Sequence, residues 1–216
     1  MIPIRQKEIL RYLGYRGSRP VTVEIQKKID ACIALLQREA VPRMASGIFS
    51  IQFCAQNLIQ IGSMQINSRH LGKHLQGCTA AILFAATLGS GVDRLMSRFA
   101  QTDTAMMAVL QASAAEMLES YCDVCEDGFK REAAKKTLYL KSRFSPGYGD
   151  FDIHHQKDFI QLLNLAKRIG LTMTDSFMLV PTKSVTAIIG VTAERQEKRL
   201  NKCAGCTAKN CSFRKE

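Results

Sequence analysis

Arg143-Phe144-Ser145-Pro146-Gly147-Tyr148 places a fixed cation, a tight turn and a phenol side by side, with His154 and His155 shortly after. The guanidinium of Arg143 is a planar fork of N–H donors suited to gripping a carboxylate at two points. Pro146 and Gly147 fit the central positions of a type II turn, where glycine supplies the positive φ and leaves the backbone open to a ligand. Tyr148 adds an amphipathic ring with a donor at its tip. The same residues also suit an ordinary helix-to-helix loop carrying a solvated arginine.

The cysteines are the second chemical feature. The chain has 8, and in a protein kept in a reducing compartment these read as thiols or metal ligands, not structural disulfides. Cys203-x-x-Cys206-x-x-x-x-Cys211 offers three thiolates at a spacing suited to zinc or an iron–sulfur cluster. A fourth ligand could come from Cys122, Cys125, a histidine or a second chain. A reactive thiol tail or an intermolecular contact would use the same residues. Cys32, Cys54 and Cys78 sit among apolar neighbours and read as inert core residues.

Both features need a scaffold. The chain has 216 residues, 46% hydrophobic and 23% charged, enough for a proper core in one large domain or two small ones. We divide it into a main domain, 1–200, and a Cys-rich basic tail, 201–216. The formal net charge of +11 is spread along the chain, apart from a concentration at Arg195, Lys198, Arg199, Lys202, Lys209, Arg214 and Lys215. That pattern suits a solvated surface or an acidic partner protein better than specific DNA binding. No helix-turn-helix, RNA-recognition or zinc-finger pattern supports nucleic acid. The N-terminus turns charged at once, which predicts no signal peptide. The apolar run from Cys78 to Leu88 is shorter than the roughly 20 residues a bilayer span needs. The expectation is a cytoplasmic protein with no membrane contact.

Periodicity predicts a short helix over Arg5 to Leu13, ended by Gly14, and an amphipathic one over Thr22 to Glu39. Alternation from Ile48 to Ile66 predicts short strands joined by a turn around Ala55 to Asn57. Ser68 fits an N-cap for a brief helix, Thr79 to Thr87 a buried strand, and Gly89 to Phe99 a further helix. The longest helix runs from about Thr104 to Glu132, with Asp103 as its cap. It carries one apolar face of Met107, Leu110, Ala114, Leu118 and Tyr121, and a second stripe of Val109, Ala112, Ser113 and Glu116. The small residues of that stripe would let a ligand approach Glu116, although a helix carboxylate can equally be solvated. A helix from about His154 to Arg168, closed by Gly170, comes next. Ser176–Val180 and Val185–Val191 then read as a hairpin across Pro181 to Ser184. Helices and short strands mix without βαβ alternation, which predicts an α+β fold, helices packed around a small, mostly antiparallel sheet.

Arg143-x-x-Pro146-Gly147-Tyr148, then His154 and Lys157, then Thr174-Asp175-Ser176-Phe177 leading into Pro181 and Ser184-Val185, resemble the S-adenosylmethionine-binding activation domain of cobalamin-dependent methionine synthase. Tyr12-Leu13-Gly14-Tyr15-Arg16-Gly17 and Phe84-Ala85-Ala86-Thr87-Leu88-Gly89 are similar to the shorter, stand-alone bacterial versions. The resemblance implies S-adenosylmethionine as ligand and reductive methylation of cob(II)alamin as function. The cobalamin would be carried by a partner methionine synthase protein, with an electron donor such as a flavodoxin-type protein. It implies that Arg143 grips the methionine carboxylate, that Pro146 and Gly147 offer backbone groups, and that Tyr148 sits near the sulfonium methyl or the corrin edge. Glu116, in Ala115-Glu116, matches the helix carboxylate that holds the ligand's ammonium group. Residues 192–200 lack the tyrosine the family carries beyond the last hairpin, and the family's N-terminal aspartate has no assigned counterpart.

No Asp-x-His-x-x-Gly cobalamin-ligand motif occurs, so the chain is expected to act in trans. It would then be a methyltransferase component and not a complete enzyme. The alternatives are a redox or metal-binding accessory protein that uses the cysteine sets, and an activator of another corrinoid methyltransferase.

Overall fold

The computed structural model describes residues 2–15, 20–54 and 57–195. At its centre is a six-stranded sheet of order β3-β2-β1-β4-β8-β5, antiparallel at every pairing. Its strands are β1 (Arg43–Phe53), β2 (Leu58–Ile61), β3 (Met64–Asn67), β4 (Ala80–Thr87), β5 (Tyr139–Leu140) and β8 (Ser184–Thr192). β6 (Thr172–Met173) and β7 (Leu179–Val180) form a separate small hairpin.

β4 reads as an unbroken apolar run, and β8 is mostly apolar with Thr186 buried within it, because both of their faces are covered. On one face lie α1 (Gln6–Tyr12), α2 (Val23–Glu39), α4 (Ser90–Thr102) and α5 (Thr104–Ala134), which close over Ile82, Phe84, Ala86, Ala187 and Ile189. On the other lie α3 (Arg69–Leu75), α6 (Gln156–Leu162) and α7 (Leu165–Ile169), packed on Leu83, Ala85 and Ile188. β1 is covered less completely, so Ile48, Ser50 and Gln52 are exposed while Phe49 and Ile51 pack inward. This is the α+β architecture the sequence predicts.

The predicted caps Ser68 and Asp103 form, and Thr22, expected as the first residue of its helix, caps it. Thr22 accepts from the Ile25 amide, Ser68 from Leu71 and Asp103 from Met106. Each such bond contributes about 1 kcal/mol to helix stability.

Three expectations change. The predicted hairpin between Ser176–Val180 and Val185–Val191 does not form: β7 pairs with β6, and β8 pairs with β4 and β5. The long central strand β4 pairs with β8 over eight residues, whereas β7 has only two to offer. The helix expected from His154 to Arg168 is broken into a short 3-10 turn (Ile153–His155), α6 and α7. The break falls at Asn164, which adopts φ 50 and ψ 49, the left-handed region that asparagine tolerates. Cys54 is exposed, whereas Cys32 and Cys78 are buried as expected.

Candidate functional site

The Arg143 segment runs antiparallel along β8. Phe144 exchanges hydrogen bonds with Ile188, 2.9 Å and 2.8 Å, which fixes where the loop leaves the sheet. The chain then reverses through the Pro146-Gly147 turn, closed by Tyr148 N–H donating to the Ser145 carbonyl at 3.1 Å. Gly147 has φ +85, as a type II turn demands. Phe144 anchors the loop from beneath, packing against His74 and Phe151 and meeting Tyr148 edge-on at 5.5 Å. Tyr148 remains 68% exposed, so its ring is presented outward.

The far side of the loop is tied to α3. Asp150 accepts from Ser68 Oγ and from the amides of Arg69 (2.9 Å) and His70 (3.1 Å). It thereby occupies the N-terminal donors of the helix. The Ser68 hydrogen bond, then the backbone amides, hold the Asp150 carboxyl below the usual carboxylate range. A depressed value means the contact stabilises the fold above the unfolded pKa of about 3.9 and is lost as pH falls through the folded value. Melting temperatures of wild type and Asp150→Asn should therefore differ near neutrality and converge on acidification below about pH 4. A gap that stays constant across that range would remove this assignment.

The two halves of the sequence pattern meet in space. His154, held by Asp152, lies with its ring centroid 4.2 Å from that of Phe177. Phe177 stands at φ 62 in a turn that Thr174 closes by donating its amide to Met178 and accepting from the Phe177 amide. The Thr174–Phe177 turn thus flanks the segment that follows Arg143.

Across from the loop, α5 supplies charge. Glu116 is 1% exposed, which excludes a solvated carboxylate. The whole predicted stripe of Val109, Ala112, Ser113 and Glu116 is buried. Oε1 of Glu116 accepts from Arg5 Nε (2.7 Å), the Arg5 amide (3.3 Å) and Ser120 Oγ (2.8 Å). Oε2 is buried and accepts no hydrogen bond from any described residue. The hydrogen bond to Glu116 raises the Arg5 guanidinium above its ordinary value.

Arg143 is not solvated either, its side chain being 18% exposed. Its fork grips carboxylates as its chemistry predicts, but they are the protein's own. Nη2 reaches Glu119 (3.1 Å) and Asp123 (3.0 Å), and Nε pairs with Glu126. Asp123 also meets Arg5 Nη2 at 3.2 Å. Glu116, Arg5, Asp123 and Arg143 therefore form one continuous charged chain, in which Arg143 and Glu116 are joined through two intermediaries.

Arg5, Asp123 and Ser120 are participants that sequence reading does not single out. Glu116, Glu119, Asp123 and Glu126 recur at helical steps, so an acidic stripe was available as a signal for Asp123. Arg5 lies 111 positions from Glu116, and no local pattern joins them.

Cys122 and Cys125 face inward on α5. Burial pushes the Cys122 thiol up to about 12 and raises Cys125 as well, which suits protonated core thiols more than metal ligands. Among the described residues no group of three or more His, Cys, Asp or Glu is arranged to hold a metal ion. Cys203, Cys206 and Cys211 lie outside the described residues. No described helix is long and apolar enough to cross a membrane.

Residues 73–215 match the family described as vitamin B12 dependent methionine synthase, activation domain. The chain belongs to this family. The match spans the Arg143 loop, Glu116, the Thr174–Phe177 turn and β8, and leaves Arg5, α1, α2 and β1 outside it. The fold is similar to the crystal structure of the MetH reactivation domain bound to AdoHcy, with a TM-score of 0.64 and 18% identity, covering 90% of this chain and 75% of that one. No curated protein matches the chain.

Proposed function

We propose that this activation-domain family member binds S-adenosylmethionine between the Arg143 loop and α5 and presents its methyl group to a cobalamin carried by a methionine synthase protein. The observation that carries this reading is the pairing of a buried, half-satisfied carboxylate with a half-buried arginine on one charged chain. A zwitterionic amino-acid end needs one fixed anion and one fixed cation. Glu116 Oε2 would take the ammonium group. The Nη1 donors of Arg143, beyond those committed to α5, would take the carboxylate. The backbone at Pro146 and Gly147 lines the approach, and the outward ring of Tyr148 would stand beside the reacting methyl or the corrin edge. The crystal structure of a family relative with AdoHcy bound supports a ligand of this class.

Catalysis in this reading is positioning. One electron, from a donor such as a flavodoxin-type protein, reduces cob(II)alamin. The resulting cobalt nucleophile then takes the methyl group, leaving S-adenosylhomocysteine. Cobalamin is here a substrate brought by the partner, in trans and in the cytoplasm.

Methyl-labelled S-adenosylmethionine, supplied with reductant and the cob(II)alamin form of methionine synthase, should leave label on the cobalamin only when this chain is present. Binding without transfer to methionine synthase, but with transfer to another corrinoid protein, would move the partner and keep the ligand. Absence of binding would favour an accessory role for the Cys203, Cys206 and Cys211 set, whose spacing suits zinc or an iron–sulfur cluster in a tail segment, 201–216, separate from the main domain.

A further inference from the structure

Glu116 is satisfied in an asymmetric way. An arginine whose only task is to neutralise a buried carboxylate commonly engages it as a fork, one nitrogen to each oxygen. Arg5 does otherwise. Its Nε and its backbone amide both go to Oε1, at 2.7 and 3.3 Å, and its Nη2 turns away to Asp123. Ser120 Oγ adds a third donor to the same oxygen. Oε1 is thereby saturated and the carboxylate plane is fixed, while Oε2 stays buried with its acceptor capacity unspent. An empty buried acceptor is costly unless something fills it.

Asp123 divides itself similarly. Its Oδ2 meets Arg5 and its Oδ1 meets Arg143. One short carboxylate therefore sets the separation between the two arginines. Arg5 is also the residue that opens α1, where it makes no side-chain cap of its own, so its side chain is free for this contact.

We propose that Arg5 and Asp123 are positioning residues of the site: Arg5 turns Glu116 so that Oε2 faces a ligand's ammonium group, and Asp123 holds that arrangement at a fixed distance from Arg143. The inference rests on the S-adenosylmethionine reading above. It adds that the N-terminal segment, outside the residues 73–215 matched by the family, completes the site.

The test is calorimetry on the full chain with two ligands, S-adenosylmethionine and its deaminated analogue, in which hydrogen replaces the ammonium group. Wild type should prefer the intact ligand by about 10-fold or more, the worth of a charge-assisted hydrogen bond. Arg5→Gln should erase most of that preference while leaving the analogue's affinity within about 3-fold, and Arg5→Lys should restore it in part. Asp123→Asn should weaken the intact ligand in the same selective manner. Equal weakening of both ligands in Arg5→Gln would make Arg5 mere scaffold, and an unchanged preference would detach it from the ammonium group. Either result overturns the inference and leaves the ligand assignment standing. Absence of S-adenosylmethionine binding by wild type would overturn both.

Discussion

Arg143→Ala is expected to weaken S-adenosylmethionine binding by at least about 100-fold, since hydrogen bonds to a charged group contribute about 1.5–3 kcal/mol each. The loss has two origins. The ligand carboxylate would have no fixed cation. Glu119, Asp123 and Glu126, now gathered on the guanidinium, would lose their shared counter-charge across less than two turns of α5. Like charges at that spacing repel, and Asp123 would be drawn toward Arg5 alone. The variant should therefore also melt earlier than wild type. Isothermal titration of folded protein, with folding checked by circular dichroism, separates the two effects. Binding within about 3-fold of wild type would place the ligand elsewhere.

Phe84→Ala should cost about 3–5 kcal/mol, the range for emptying an aromatic core position. For a chain of this size that is on the order of 10 °C in melting temperature. Phe84 is fully buried on β4, the strand with helices on both faces, and meets Phe129 of α5 edge-on at 5.8 Å. That contact seats the half of α5 that carries Asp123 and Glu126. Ligand affinity, measured well below the melting point, should change far less than stability does. Denaturant titration reporting a loss under about 1 kcal/mol would show that α5 is held to the sheet by other contacts.

Much of this was readable from the chain. Asp103 and Ser68 cap the helices they announce, because a side-chain acceptor beside an amphipathic run is a local signal. The buried strand at 80–87 was visible as an unbroken apolar run. The Pro146-Gly147 turn was legible because its φ requirement is written in the residue types. Pairings were harder. Nothing near Val180 or Ser184 reveals that β8 joins β4, since strand partners are chosen by the whole sheet. The break at Asn164 interrupts a good helical pattern, and its cause is one residue's tolerance of a left-handed backbone.

The site shows the same division. Arg143 and Glu116, both singled out from residue type and position, lie on one charged chain and are joined only through Arg5 and Asp123. The Arg5–Asp123 link depends on a contact across 111 positions, which periodicity within one helix cannot encode.

The order of the central sheet has a consequence for how any partner protein could dock. Its outermost strands, β3 and β5, have 4 and 2 residues, so the two ends of the sheet offer little unpaired ladder. β2, however, pairs only with Ile51–Phe53 of β1 and leaves one edge of β1 from Arg43 to Ser50 without a strand among the described residues. Strand addition is a common way for one protein to seize another, and here it could begin only on that stretch of β1, not at the ends of the sheet. The proposed cobalamin carrier would meet either this edge or the loops and helix flanks around it. Short contacts of either kind release readily, as the proposed reactivation role would require.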